Sequence, residues 1–583
     1  MINFKEKAND IWKIADLLRG DYKQSDYGKV ILPFTVLRRL DAILEPTKKE
    51  VLDFLPKIES FTSEKAKDVA LENKAKQNFY NKSKFDFKNL LDDPNNIASN
   101  LRNYINGFSA SVRDIISYFS FDDQIEKLDS ADLLYQIVKD LSAVEYLKDI
   151  TPQEMGYIFE ELIRKFADAS NETAGEHFTP REVIRLMVDI LFIDDSEVLA
   201  KNGIVKTVYD PACGTGGMLS VADEYVNELN SKAKLELFGQ EINPESYAIC
   251  KSEMLIKGQN PSNIKFGNTF TVDGLKEEKF DYMLSNPPFG VDWKKASKII
   301  KDEHEKQGYD GRFGAGLPRI NDGSLLFLQH MVSKIKNTDN GSRIAIVFNG
   351  SPLFSGTAGS GESEIRKWII ENDLLETIIA LPDQLFYNTG ISTYIWVLTN
   401  NKSIDRKGKI QLINASGSVD DKDIKETPFW KKMDRSLGNK RKTITSEQIV
   451  HIANLYGDFK ENEFCKVLPN EYFGYYKVTV ERPQRDENGE IVTDRNGNPK
   501  ADGSLRDSEN IPLLKDINEY FKEEVLPFMS DAWIDESKTK IGYEINFSKE
   551  FYTFKTLRTL EEVKADILKL EEKTMGKLKE VIS

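Results

Sequence analysis

The chain has 583 residues, of which 40% are hydrophobic and 30% charged, and its formal net charge is −15. This composition fits a globular protein with more than one apolar core, and the acidic balance excludes a chain that coats nucleic acid through its overall charge. Three isolated cysteines exclude a disulfide scaffold and a Cys-x-x-Cys metal clip, and they favour a reducing cytoplasm. No apolar run approaches the roughly 18 residues of a membrane span, and the N-terminus lacks the apolar stretch of a secretory signal.

Residues 1–150 are predicted to form an N-terminal helical domain. Apolar side chains recur every three or four positions from Ile11 to Leu18 and again from Val30 to Leu40. That period is typical of helices with one buried face. Strand-like alternation is scarce in this part of the chain.

Residues 151–415 change to short apolar runs separated by segments long enough for helices. The runs cover 205–209, 235–239, 282–284, 344–348, 377–380 and 394–398. Strands that alternate with helices in this way are typical of a mostly parallel sheet with crossover helices. The sequence therefore predicts an α/β domain with a doubly wound, Rossmann-like sheet.

The C-terminal region, residues 416–583, begins polar and irregular and ends in a predicted helix. A basic run covers 431–442, and two Asn-Gly pairs at 488–489 and 496–497 favour the tight turns of a hairpin or exposed loop. From Leu560 to Val581 apolar residues step by three and four positions, which predicts a helix with one apolar stripe. Two interpretations of the stripe are open: it docks on helices of a partner, or it packs on the chain's own core. The basic run meets phosphates or is a solvated surface.

A glycine-rich turn joins the first predicted strand of the sheet to a helix. It runs from Asp210 to Gly217 and reads Asp-Pro-Ala-Cys-Gly-Thr-Gly-Gly. Glycines let the backbone turn tightly and approach a ligand closely. The spacing differs from the Gly-x-Gly-x-x-Gly of dinucleotide sites, and an acid at its start suits a ligand with a cationic or donor group. The amino-acid end of S-adenosylmethionine carries such a group.

An acidic residue, Glu241, ends the second predicted strand of the sheet. At this position in doubly wound sheets, a carboxylate accepts hydrogen bonds from ribose hydroxyls. Glu241 is therefore predicted to bind a ribose of the same ligand. The alternative is a solvated charge at a strand end.

A third strand leads into Asn-Pro-Pro-Phe at residues 286–289. Two prolines fix the backbone and remove two N–H donors. The Asn286 amide oxygen and nearby carbonyl groups are then available as acceptors, and Phe289 supplies an aromatic face. This set suits an exocyclic amine on a planar base. The alternative is a Pro-Pro turn with Phe289 in the core.

Taken together, the glycine-rich turn and Asn-Pro-Pro-Phe resemble the amino-methylating DNA methyltransferases that use S-adenosylmethionine. Three further segments are similar to the modification subunit of Type I restriction–modification systems: Glu176 to Arg181 (Glu-His-Phe-Thr-Pro-Arg), Asn349 to Phe354 and Asn388 to Thr393. The stretch from Tyr27 to Leu44, with Leu-Arg-Arg-Leu inside it, is also similar. The likeness covers most of residues 1–415. It implies an S-adenosylmethionine-dependent methyltransferase domain between the N-terminal helical domain and a helical C-terminal extension.

This resemblance also implies roles for individual residues. Those that would contact the cofactor are Glu176, His177, Phe178, Thr179, Pro180, Arg181, Asp210, Thr215, Gly216, Gly217, Glu241 and Asn268. Among them Asp210 would face the methionine amine. The residues that would hold the target adenine are Asn286, Pro287, Pro288 and Phe289.

The expected reaction is methyl transfer to N6 of an adenine flipped out of the duplex. The N6 lone pair is delocalised into the ring, and acceptors at Asn286 Oδ1 and the Pro287 carbonyl would localise it by holding both N–H groups. In-line attack on the sulfonium methyl would follow through positioning and preset hydrogen bonds. No metal is needed, because the leaving group is already cationic and becomes neutral.

As partners, the resemblance implies double-stranded DNA, a separate specificity subunit with two copies of this chain, and a restriction subunit. No membrane association is expected. Three alternative functions share some of these sequence features. N4 of cytosine or a protein amide nitrogen shares the problem of a delocalised lone pair, and a non-catalytic assembly subunit would carry a vestigial cofactor site. A nicotinamide oxidoreductase is disfavoured by the loop spacing and by the lack of a second glycine-rich motif.

Overall fold

The computed structural model describes residues 4–170, 179–193, 201, 203–387, 389–417, 424–552 and 559–582. Its internal contacts divide the chain into two compact units, Met1–Ile545 and Asn546–Ser583. Within the described residues, no helix combines the length and the apolar composition needed to cross a membrane. The domain limits at 150 and 415 stay a prediction.

The N-terminal part of the first unit is helical, as the apolar periodicity predicts. Its helices are Phe4–Trp12, Ile14–Leu17, Tyr27–Leu44, Lys48–Ile58, Glu64–Ala75, Ile97–Asn106, Ala110–Ser117, Phe121–Ser130 and Leu134–Ser142. Helix Tyr27–Leu44 is buried almost throughout its length and lies at the centre of this cluster. A longer helix, Pro152–Ser170, leads towards the sheet.

Two buried arginines of the Leu-Arg-Arg-Leu segment hold this helical part together. Arg38 Nε donates to the Leu141 carbonyl at 3.2 Å, and Arg39 Nη2 donates to the Ile150 carbonyl at 2.7 Å. A guanidinium group that satisfies backbone carbonyls offsets the cost of burying both polar groups. The Leu-Arg-Arg-Leu segment therefore links helix Tyr27–Leu44 to the chain around Leu141 and Ile150.

Fourteen strands are formed by the described residues. In chain order they are β1 (Val205–Asp210), β2 (Lys234–Glu241), β3 (Ile264–Phe266), β4 (Tyr282–Ser285), β5 (Arg343–Asn349), β6 (Leu375–Ala380), β7 (Thr393–Thr399), β8 (Lys409–Asn414), β9 (Lys431–Leu437), β10 (Lys440–Thr443), β11 (Cys465–Pro469), β12 (Gly474–Glu481), β13 (Asp507–Pro512) and β14 (Trp533–Tyr543). Nine of them make one sheet in the order β3-β2-β1-β4-β5-β7-β6-β8-β11. Only β7 and β11 run antiparallel to their neighbours. The doubly wound α/β prediction is confirmed.

Helices cover the sheet, and its central strands are therefore buried along most of their length. The helices are Arg181–Phe192, Gly217–Leu229, Pro244–Ile256, Ser297–Gln307, Ser324–Ser333, Ser351–Phe354, Gly361–Glu371 and Ser446–Asp458. The strand order reverses between β1 and β4, so that β2 and β3 lie to one side and the later strands to the other. Doubly wound sheets bind ligands at this point, beyond the carboxyl ends of the strands.

Beyond residue 415 the chain adds one more strand, β11, to the nine-stranded sheet. Strand β11 pairs antiparallel with β8 and forms the outer edge. Its sequence, Cys-Lys-Val-Leu-Pro, carries a lysine and a proline, which are common on edge strands because one side of the strand is not paired. The apolar pattern of a buried strand is therefore missing, and the sequence gives a weak signal there.

The basic run 431–442 forms the antiparallel hairpin β9–β10. Two of its cations are structural: Lys440 pairs with Glu182, and Lys442 pairs with Asp383. The side chains of Lys431, Lys432, Arg435 and Arg441 are exposed. The basic run thus combines two ion pairs, of which that of Lys440 is the more buried, with four exposed cations.

The remaining strands form a smaller sheet in the order β13-β12-β14. Between β12 and β13, both Asn-Gly pairs lie in turns whose glycines, Gly489 and Gly497, have φ of +82° and +84°. The short helix Ile517–Tyr520 leads towards β14. In the second unit, Phe547–Glu550 and Leu560–Ile582 are helical, and the second of these is the helix that the apolar stripe predicts.

Candidate functional site

A cavity of about 430 Å³ lies at the carboxyl ends of β1, β2 and β4, where the strand order reverses. Its walls come from the loops that follow β1, β2, β3 and β4. The parallel strands bring these loops together although they are far apart in sequence. The cavity is therefore where the site predicted from the glycine-rich turn and Asn-Pro-Pro-Phe should lie.

Asp210 ends β1 and lines this cavity. Its Oδ1 accepts hydrogen bonds from the Ala212 N–H at 2.9 Å and from the Ser285 hydroxyl at 2.8 Å. Burial raises the pKa of this carboxyl to about 7, and the nearby charge of Glu241 also raises it. An acid held in this way gains most from a cationic ligand, because such a ligand restores the charge stabilisation that water would otherwise provide.

Glu241 ends β2 and fastens the glycine-rich turn. Its Oε2 accepts from the Gly214 N–H at 2.8 Å, and its Oε1 accepts from the Asn243 N–H at 2.7 Å. Each carboxylate oxygen has two lone pairs, so a ribose hydroxyl can still donate to it. Glu241 therefore stabilises the glycine-rich turn through Gly214. Its ribose-binding role remains a prediction.

The turn between Asp210 and Gly217 needs its glycines. Gly214 and Gly216 have φ of +53° and +83°, the left-handed region. A Cβ atom on Gly216 would lie 2.8 Å from the Cys250 sulfur. Both the backbone conformation and the packing therefore exclude a side chain at this position.

We expect Gly216→Val to weaken binding of S-adenosylmethionine by about 10²-fold. The left-handed conformation costs a side-chain-bearing residue about 1–2 kcal/mol, and the clash with Cys250 costs about 1–3 kcal/mol more. Calorimetric titration would measure the change. Gly408→Val is the matched control, since Gly408 has φ of +68° but its Cβ would meet no atom within 4 Å. Equal affinities for both variants would show that Gly216 does not shape the site.

The loop after β3 forms another wall of the cavity. Asn268 Oδ1 accepts from the Phe270 N–H at 2.8 Å, which leaves its amide N–H groups as the part suited to a ligand. The part-buried ion pair of Arg312 and Glu303 supports this loop, because Arg312 donates to the carbonyls of Thr269 and Phe270 at 2.8 and 2.9 Å. The loop is thus held in one conformation by a residue 42 positions further along the chain.

Asn286 follows β4 and is one of the residues that line the cavity. Its Nδ2 donates to the Thr179 hydroxyl at 2.9 Å. Its Oδ1 is buried and has no hydrogen-bond partner among the described residues. An unsatisfied buried acceptor costs about 1–3 kcal/mol, so a ligand that donates to this oxygen recovers that energy.

The structure brings together half of the sixteen residues predicted for the site. Those that line the cavity are Thr179, Asp210, Thr215, Gly217, Glu241, Asn268, Asn286 and Pro288. The residues Pro180, Arg181, Gly216, Pro287 and Phe289 are not among the lining residues that the structure describes. Glu176, His177 and Phe178, and also Asn388 of a family-like segment, lie outside the described residues.

Two of the predicted residues outside the lining have other contacts. Arg181 donates to the Gly217 carbonyl at 3.4 Å and lies over the Tyr157 ring, 4.5 Å from its centre. Phe289 is half-buried and packs against the apolar core of the sheet. The stacking of Phe289 on a target base remains a prediction.

Among the apolar residues of the cavity wall that sequence reasoning missed are Ile242, Phe270, Trp293 and Phe327. They belong to no motif, and three of them come from loops or helices whose position depends on the whole fold. Ile242 gives the one local signal, because it is an apolar residue directly after the acidic end of β2 and is 59% exposed.

Comparison with known proteins identifies the family. The family described as N-6 DNA Methylase matches residues 151–482, and the HsdM N-terminal domain matches residues 7–141. The chain belongs to the N-6 DNA methylase family. The resemblance inferred from the sequence motifs is thereby confirmed, and the helical N-terminal part is that of a Type I modification subunit.

Two relatives illustrate how far the likeness extends. The Type I restriction enzyme MjaIX methylase subunit of Methanocaldococcus jannaschii is 26% identical over 539 residues, which cover 89% of this chain and 88% of the relative. The HindI methylase subunit of Haemophilus influenzae is 31% identical over 264 residues, or 45% of this chain and 54% of the relative. The first relative therefore shares most of the length, including the regions on both sides of the sheet.

Solved structures share the fold. The type I restriction-modification methyltransferase subunit from Streptococcus thermophilus has a TM-score of 0.61 at 21% identity and covers 81% of this chain and 97% of its own. A modification subunit of a type I restriction enzyme from Vibrio vulnificus has a TM-score of 0.53 at 19% identity, with coverages of 86% and 96%. These similarities support the arrangement of helical part and sheet described above.

Proposed function

We propose that this protein transfers a methyl group from S-adenosylmethionine to N6 of an adenine extruded from double-stranded DNA. The observation that carries the proposal is the buried Asn286 Oδ1, which has no partner among the described residues and belongs to a residue that lines the cavity. Membership of the N-6 DNA methylase family makes the chain an adenine-specific DNA methyltransferase that uses S-adenosylmethionine.

The residues of the cavity fit S-adenosylmethionine. Asp210 suits the ammonium group of the methionine part, and Glu241 suits the ribose hydroxyls. Ile242 and Phe270 provide an apolar wall for the adenine ring, with the amide of Asn268 beside it. When bound, the cofactor supplies a methyl group on a positively charged sulfur.

The protein's own contribution is to hold the amine of the target base. Asn286 Oδ1 accepts one N6 hydrogen, and the Pro287 carbonyl is proposed to accept the other. Both acceptors favour a pyramidal nitrogen with a localised lone pair, which is the reactive form. Because Oδ1 is already buried and in place, no reorganisation is needed at the moment of transfer.

Extruding the base costs a few kcal/mol of lost stacking and pairing. Donation by the base to a buried acceptor recovers part of this cost, and an aromatic contact with Phe289 would recover about 1–3 kcal/mol more. The proposed site therefore favours a base that carries an exocyclic amine. A uracil-like ring presents a carbonyl oxygen at that place. This oxygen and Asn286 Oδ1 both carry partial negative charge and would repel each other.

Calorimetry and nucleoside analysis test this function separately. S-adenosylmethionine should bind to the complex of this protein and its specificity subunit. The same complex should form N6-methyladenine in a substrate duplex. Binding without any methylated product would favour a non-catalytic assembly subunit. N4-methylcytosine or methylated protein as the product would show that the methyl acceptor is cytosine or a protein amide nitrogen.

We further propose that the chain works with a specificity subunit, in two copies per specificity subunit, and with a restriction subunit. The relatives are named as methylase subunits of Type I restriction enzymes, which supports a multi-subunit assembly. The C-terminal helix Leu560–Ile582 offers a contact for it: Leu560, Ile567 and Leu570 lie on one stripe and are 87%, 60% and 69% exposed. An exposed apolar stripe of this kind suits a helix of the specificity subunit.

The double variant Ile567→Asp with Leu570→Asp should weaken co-purification with the specificity subunit by at least about tenfold, since two buried apolar contacts are each worth about 1.5–3 kcal/mol. Deletion of residues 556–583 should act in the same direction. Ala565→Asp with Lys569→Asp places charges on the opposite side of the helix and should leave assembly intact. Cofactor affinity should stay unchanged in every case, and unaltered assembly of the double variant would remove the helix from the interface.

A further inference from the structure

The hydroxyl of Thr179 contacts the target-base side of the cavity through Asn286. Its Oγ1 accepts the hydrogen bond from Asn286 Nδ2 at 2.9 Å, across 107 positions of sequence. Thr179 also lines the cavity, together with Asp210 and Thr215 on the cofactor side. One side chain thus lies between the cofactor wall and the acceptor for the target amine.

An asparagine amide has two chemically opposite ends, and only one of them can accept from the N6 amine. Rotation of the amide by half a turn would present N–H groups to the base and repel it. The acceptor end of Asn286 is buried without a partner among the described residues, while the donor end rests on Thr179. The hydrogen bond from Asn286 Nδ2 to Thr179 Oγ1 holds the amide in the orientation that leaves Oδ1 as the unsatisfied end.

We propose that Thr179 is a positioning residue, which fixes the amide of Asn286 with Oδ1 towards the target base. This role differs from the cofactor contact that the His-Phe-Thr-Pro segment implies. The inference rests on the proposed function, because it concerns the acceptor that the reaction uses. It also explains how a residue before β1, Thr179, sets the orientation of the Asn286 side chain after β4.

Local structure allows Thr179 to hold this position. The helix Arg181–Phe192 begins two residues later and eight of its twelve residues are buried, so the backbone that carries Thr179 is fixed by packing. Glu182, in the first turn of that helix, forms the ion pair with the buried Lys440 of β10. The Thr179 hydroxyl is therefore supported by a rigid element, as a positioning group must be.

The test compares Thr179→Val with Thr179→Ser in the complete complex with its specificity subunit and substrate DNA. Valine keeps the shape and removes the hydroxyl, and we expect kcat to fall about 10–10²-fold because the acceptor is no longer held in place. The calorimetric Kd for S-adenosylmethionine should change by less than about twofold. Serine restores the hydroxyl and should restore kcat. Thr215→Val, on the cofactor turn, is the contrasting variant and should raise that Kd.

Three outcomes are distinguishable. If the wild-type complex makes N6-methyladenine and Thr179→Val keeps its kcat, the positioning role is overturned while the proposed function stands. If Thr179→Val raises the Kd for S-adenosylmethionine and leaves kcat unchanged, Thr179 is a cofactor contact and the inference is also overturned. If the wild-type complex makes no N6-methyladenine, the proposed function itself fails.

Discussion

Replacement of Asn286 by alanine is expected to lower kcat for DNA methylation by about 10³-fold while S-adenosylmethionine still binds. Removal of one preset hydrogen-bonding group from an active site costs about 10²–10³-fold in rate, and Asn286 also orients the base. The cavity wall keeps Asp210, Glu241 and Asn268, so the affinity for the cofactor should stay within about twofold of wild type. Single-turnover methylation and calorimetry measure the two effects separately.

Asn372→Ala is a suitable control, because Asn372 is exposed at the end of a helix on another part of the sheet. It should methylate DNA at the wild-type rate. Asn286→Asp retains acceptor oxygens at the same position and should keep more activity than alanine. Full methylation by Asn286→Ala would contradict the role proposed for its amide oxygen.

Binding of S-adenosylmethionine is expected to weaken as pH falls below about 7. Burial raises the pKa of Asp210 to about 7 in the protein without ligand, so the carboxyl becomes protonated in this range. Only the ionised form attracts the ammonium group of the cofactor. The Kd should therefore rise by up to about tenfold for each pH unit below the pKa. Calorimetric titrations at pH 5.5, 6.5, 7.5 and 8.5, chosen to span about two units around it, would show the slope.

Asp210→Asn should bind the cofactor more weakly at pH 8 and should lose most of this slope. The stability of the ligand-free protein changes in the opposite sense. Since the pKa of Asp210 is higher in the folded than in the unfolded chain, the folded state binds more protons between about pH 4 and 7 and loses stability as pH rises. Burial raises the pKa of Glu253 to about 7 with the same sign. A Kd that stays constant from pH 6 to 8 would contradict the contact between Asp210 and the cofactor.

Much of the sheet could be predicted from sequence, because its strands are buried and short. The apolar run 205–209 corresponds to strand Val205–Asp210, and the run 282–284 to Tyr282–Ser285. Parallel strands place their carboxyl ends at one edge, so the meeting of Asp210, Glu241 and Asn286 follows from the strand order. The position of the cavity could thus be anticipated from residues at strand ends.

Side-chain orientation could not be anticipated in the same way. The bond between Thr179 and Asn286 joins residues 107 positions apart and depends on how a helix packs beside the sheet. Phe270 and Trp293 line the cavity because loops fold over it, and no local pattern marks them. The return of β11 to the sheet edge was hidden because an edge strand does not need a continuous apolar pattern.

The position of the methyl group after reaction tests the central claim most directly. The complete complex would be incubated with S-adenosylmethionine carrying an isotopically labelled methyl group and with unmodified genomic DNA, which contains every short recognition site. The DNA would then be digested to nucleosides and measured by mass spectrometry. Label in N6-methyladenine, lost in Asn286→Ala, is the predicted result; label in N4-methylcytosine or in protein, or none in nucleic acid, would contradict it.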